Sequence, residues 1–109
     1  MQWILVGILA ASAYNDPTPL GDFHAFLRFM WADERCSEVN INYERTFDQV
    51  REIASSMGWD NDQRQQAILA GTRAAMFQYD FERADFCQTV SDQFNSYDPS
   101  YLRKIGIID

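Results

Sequence analysis

A single histidine and two cysteines are this chain's whole stock of imidazole and thiol ligands. The cysteines stand at positions 36 and 87, far from a Cys-x-x-Cys spacing, so no zinc pattern forms. There is no Gly-rich phosphate loop, no Gly-x-Ser-x-Gly elbow and no dinucleotide fingerprint, which leaves phosphate and acyl-transfer chemistry without their usual backbone devices. Asp60-Asn61-Asp62 begins like a calcium loop, but Arg64 holds the next odd position, and the glycine and glutamate that should close the loop are missing. Helix capping accounts for the same residues. Asp80, Glu82 and Asp85, with Arg83 between them, read as a solvated turn that caps the next helix rather than as a cation site. Folding can bring any two of the sixteen acids together, yet nothing in the sequence selects a pair for glycosidase-like work. No cofactor, metal or catalytic set is expected.

Basic residues are also scarce: nine Lys and Arg against sixteen Asp and Glu leave a net charge of -7. That sign disfavours nucleic-acid phosphates and anionic head groups as partners, while favouring solubility or a basic protein surface. The chain also lacks an apolar run of the roughly 20 residues needed to span a bilayer. The stretch from Trp3 to Ala10, followed by Ala11-Ser12-Ala13 and then Asn15-Asp16-Pro17, has the order of a signal-peptide core, a small-residue cleavage site and a mature start. No Lys or Arg precedes it, so an apolar N-terminal helix that packs or touches a membrane is the alternative. The expected division is 1–13 for the leader or apolar helix, 14–19 for a Pro-containing linker, and 20–109 for one helical domain.

What is abundant is apolar and aromatic: 47% and 15% of the chain, enough for a core in a single domain of this size. Strict two-residue alternation is hard to find, and apolar residues recur at helical steps instead. The spacing predicts a first helix over Leu20 to Arg35, with Phe23, Leu27, Met30 and Trp31 on one stripe. A second, about Asn42 to Met57, presents Tyr43, Phe47, Val50, Ala54 and Met57. Gly58 stops it, and Trp59 folds back as the apolar contact beside the cap. The third begins at Asp60-Asn61-Asp62, with Ile68, Leu69, Thr72, Ala75, Met76 and Tyr79 inward. Gly71 weakens its middle and permits close packing. After a bend near Asp80 to Asp85 comes a fourth helix with Phe86, Cys87, Val90, Phe94 and Tyr97. Asp98-Pro99 opens a short terminal helix that Gly106 ends.

Cys36 follows the first helix and Cys87 begins the fourth. A bridge between them would close a loop of about fifty residues, worth about 4 kcal/mol in the chain-entropy model. That placement favours a structural disulfide over two buried thiols or a reactive cysteine, because no feature that depresses a thiol pKa is visible. His24, beside Asp22 on the polar side of the first helix, reads as a surface histidine and not as a partner for a nucleophilic cysteine. Phe26, Phe29 and Trp31 widen the apolar arc of the first helix to roughly half its circumference, more than one core contact requires. Either that helix is central, or these three residues form a face that docks a protein partner or a second copy.

Cys36, the segment Asp85-Phe86-Cys87, the Val90/Phe94 helix and the short apolar end together resemble a group of small exported helical proteins of alphaproteobacteria. The likeness spans about Phe23 to Ile105 and rests on one cysteine pair and helical spacing. It implies export and a disulfide, and it brings no catalytic residues. The expected molecule is thus an all-α bundle of four main helices plus a short C-terminal one, stapled by Cys36–Cys87. Its expected role is that of a non-enzymatic binding or accessory protein, periplasmic or secreted, with no nucleic-acid partner and no membrane span in the mature chain. The alternatives are an acid-stress periplasmic chaperone, and a cytoplasmic acidic inhibitor of a basic protein.

Overall fold

The computed structural model describes residues 19–109, so the expectations for the N-terminal run lie outside the described residues. Five helices follow in order: α1 Pro19–Asp33, α2 Tyr43–Ser56, α3 Asn61–Phe81, α4 Arg83–Ser96 and α5 Pro99–Lys104, with no strand among the described residues. The all-α class and the four-plus-one plan are those expected from the apolar spacing. Pro19, expected to end a linker, instead opens α1, where its missing N–H breaks no helical bond.

Local chemistry places most helix ends. Asn42 caps α2, its side chain accepting from the Arg45 N–H at 3.0 Å, and Gly58, at φ +75°, takes the left-handed conformation that ends the helix. Trp59 then folds back, its ring edge-on to Phe23 at 5.7 Å. Asp60 and Gln63 form a reciprocal capping box at the start of α3, with bonds of 2.8 and 3.0 Å. Asp98 caps α5 by accepting from the Ser100 N–H, and Pro99 stands at its first position. One cap differs from expectation. At the α3–α4 bend no acidic side chain caps α4; Glu82 turns the chain, and its carbonyl accepts from the Phe86 N–H at 2.7 Å.

α1 is the axis around which α2, α3 and α4 pack. Gly21, Phe23, Ala25, Phe26, Leu27, Phe29, Met30 and Ala32 are all buried, so apolar contact surrounds most of its circumference, as a central helix requires. α2 lies on it through Thr46, Val50 and Ala54, a ridge of four-residue steps. Tyr43, expected inside, is therefore exposed, while the polar Thr46 is buried and satisfies its hydroxyl on the Asn42 carbonyl at 2.7 Å. α3 approaches through the small residues Gly71 and Ala75, and a Cβ at Gly71 would collide with Leu27 Cδ1. This close approach narrows the buried strip of α3, which leaves Leu69, also expected inside, at the surface. Between α1 and α4, the Arg28 Nε donates to the buried Gln93 Oε1 at 3.1 Å.

One end of the bundle is closed by irregular chain. The Asp33 side chain accepts from the Ile41 N–H at 3.0 Å, and the Asn42 N–H donates to the Ile107 carbonyl at 2.7 Å. Val39 and Ile107 are fully buried beneath this crossing. Cys36 and Cys87 are joined by a disulfide with Cα atoms 5.5 Å apart, tying the segment after α1 to the first turns of α4. No helix among the described residues is long and apolar enough to cross a membrane.

Candidate docking surface

The docking face expected on α1 is not a surface. Phe26 and Phe29 are completely buried, their rings 6.0 Å apart, and Phe94 of α4 meets Phe29 edge-on at 5.2 Å. Tyr97, just beyond α4, lies 6.0 Å from Phe26 and 5.7 Å from Phe29 and completes the cover. The reason is topological: α4 crosses the side of α1 from which these rings project, so the wide apolar arc serves a second helix rather than a partner. Trp31 is half-buried. The Arg35 guanidinium lies 3.5 Å above its ring and donates to the Trp31 carbonyl, which places a cation over the aromatic face and leaves little of the indole to offer.

Exposed aromatic surface stands elsewhere. On α3, Phe77 is 55% and Phe81 79% exposed, and the two rings stack at 6.0 Å with planes 10° apart. Ala70 and Ala74, also exposed, precede them at steps of four, three and four residues, so an apolar stripe about 16 Å long runs along the side of α3 turned away from α1. Asp80, Glu82 and Asp85, all exposed, lie within four residues of Phe81 in sequence, and Arg83 turns its guanidinium over the Tyr79 ring at 5.0 Å. Full burial of one such phenylalanine is worth about 1.5–3 kcal/mol, of which folding leaves about half unrealised at Phe77 and most at Phe81. This pair was missed in the sequence because Ile68, Leu69, Thr72, Ala75, Met76 and Tyr79 already supply one apolar face. The signal was the second stripe at 70, 74, 77 and 81.

Asp22 is the most engaged carboxylate. Tyr97 Oη donates to its Oδ1 at 2.7 Å and Tyr101 Oη to its Oδ2 at 2.9 Å, clamping α5 to the start of α1. The stacked phenols, 6.3 Å apart, are held protonated. Burial first, and then the hydrogen bond and charge of Asp22, push Tyr101 up to about 12 and Tyr97 well above the ordinary tyrosine range. Such phenols donate and do not serve as bases. His24 is open to solvent on one side and lies against α3 near Gly71 on the other, edge-on to Phe23 at 5.5 Å, its pKa lowered by this partial burial and then by Arg28. Among the described residues no three His, Cys, Asp or Glu side chains gather closely enough to hold a metal ion.

The phenol clamp makes a prediction about alkaline stability. Because the folded pKa values are raised, the clamp's contribution is complete below pH 10 and declines as pH rises above about 10, through about 12 for Tyr101 and at still higher pH for Tyr97. The denaturation midpoint is expected to fall steeply across that window. Asp22→Asn should flatten the fall and bring two phenolate absorbance steps to lower pH; a titration curve unchanged by the substitution would contradict the clamp.

No family model, curated protein or solved structure matches this chain.

Proposed function

We propose that the protein is a non-enzymatic accessory protein of an oxidising, extracytoplasmic compartment, and that it docks a basic protein partner through the outer stripe of α3. The observation that carries this reading is the stacked Phe77/Phe81 pair, held in water on a helix whose opposite side packs tightly on α1. Exposed apolar patches on a rigid element are a hallmark of interfaces, and aromatic residues dominate the energetics of most of them. The acidic residues around Phe81 and the net charge of -7 favour a basic surface and oppose a second copy, whose like charge would be repelled. The disulfide supports an oxidising compartment, as do the apolar N-terminal run and the resemblance to exported alphaproteobacterial proteins.

A photo-crosslinking amino acid placed at Phe81 in the native host is expected to give a light-dependent adduct with a basic protein. The same group at Glu52, exposed on α2, gives none. Phe77→Ala with Phe81→Ala should abolish capture of that partner while the melting temperature stays within a few degrees of the parent, since neither ring contributes to the core. Equal adducts at both positions would remove the stripe as a specific surface, and an adduct of twice the chain mass would assign it to a second copy instead.

A further inference from the structure

On the other side of α3, where it faces α2, lies a groove of about 320 Å³ that the docking proposal does not use. Its floor is apolar, made by the buried Ala54 and the partly buried Ile68. Arg51 and Arg64 stand among its walls with Ser55 and Asn61, and no carboxylate lines it, in a chain where acids outnumber bases sixteen to nine. Arg51 bonds to Asp48 and lies over the Phe47 ring at 4.7 Å. Arg64 differs. Its guanidinium is oriented by neutral acceptors, the Trp59 carbonyl at 3.2 Å and the Asn61 side-chain oxygen, and it makes no ion pair among the described residues. The cation is thus half-buried and fixed in direction with no carboxylate paired to it, while the adjoining end of α3 is already capped by Asp60.

We infer that this α2–α3 groove binds a small organic carboxylate with a short apolar body, its carboxylate on Arg64 and Arg51 and its tail over Ala54 and Ile68. An anion pairs with Arg64, whose acceptors are neutral, while Arg51, already bonded to Asp48, adds a weaker attraction from the groove wall, and Ser55 adds a hydroxyl donor. The volume is at the small end for ligand sites and suits roughly ten non-hydrogen atoms. Charge selects the head group, and the apolar floor rewards a tail of several methylenes at about 0.8 kcal/mol for each one buried.

The probe is octanoate, with 1-octanol and acetate as the tail-only and head-only controls, followed by amide chemical shifts of the full chain. Octanoate is expected to move the Ser55, Asn61 and Gln65 resonances saturably at millimolar concentration, and each control to move them far less. Arg64→Gln should weaken octanoate by about tenfold or more, as loss of a charge-assisted pair does, with Arg51→Gln giving a smaller loss in the same direction. If 1-octanol binds as well as octanoate, if both arginine variants bind it unchanged, or if the shifts fall on Phe77 and Phe81 instead, the site is not what we infer. The readout is independent of any protein partner, so failure of the α3 stripe leaves it standing.

Discussion

Phe29→Ala is expected to destabilise the fold by about 3–5 kcal/mol, the usual result of emptying a phenylalanine site in a packed core. Phe29 is fully buried and is enclosed by Phe26, Phe94 and Tyr97 within 6.0 Å between ring centres, so little can collapse into the space. The effect propagates beyond one cavity. Tyr97 rests on Phe29 and also holds Asp22, so loosening it frees the clamp that keeps α5 in place. Denaturant unfolding checks this directly, with Phe81→Ala as the contrast: 79% exposed, it should change stability by no more than about 0.5 kcal/mol. A small loss for Phe29→Ala with defective partner capture would restore the α1 docking face that the packing rules out.

Removing the disulfide carries the second large effect. Cys36 and Cys87 are 51 residues apart in sequence, and the chain-entropy model assigns the closed loop about 4 kcal/mol of destabilisation to the unfolded state. For a domain of this size, whose total stability is of order 5–15 kcal/mol, that is a large share. Paired Cys36→Ser and Cys87→Ser substitutions, or reductant acting through the partly exposed Cys87, should lower the denaturation midpoint strongly. The structural consequence is local at first. The bond pins the segment after α1, whose crossing with the C-terminal tail buries Val39 and Ile107, so amide exchange at Ile41 and Asn42 should quicken before that of α1. Unchanged stability on reduction would mean that packing alone holds this end.

The helix boundaries were legible in the chain because they are set by neighbours in sequence. Asn42, Gly58, Asp60 with Gln63, and Asp98 with Pro99 each satisfy or terminate a helix end within a few residues, and each stands where the structure uses it. The cysteine pair was legible for a similar reason, since the only two thiols of a small bundle, one after the first helix and one at the start of the fourth, have few other roles. The outward and inward faces were less so. Tyr43 and Leu69 have the helical phase of core residues, but ridge packing through Thr46, Val50 and Ala54, and close approach at Gly71 and Ala75, rotated them out. Phe77 and Phe81 lay in a second stripe of equal quality, and periodicity by itself does not say which of two stripes a neighbour will cover.

Sequence by itself determined the class of fold, the number of helices, most of their ends and the favoured pairing of the two cysteines. These follow from interactions spanning at most a few residues, or from a residue type so rare that it has one plausible mate. Only the tertiary structure decided that α1 is the axis, that Phe26 and Phe29 face α4 and its following turn rather than water, and that the exposed aromatics belong to α3. It also brought Asp22 to two tyrosines seventy-five and seventy-nine residues away, and opened a carboxylate-free groove between α2 and α3. Which side of an apolar helix stays wet depends on how many neighbours the bundle supplies to it, and that is a property of the assembled packing rather than of any one segment.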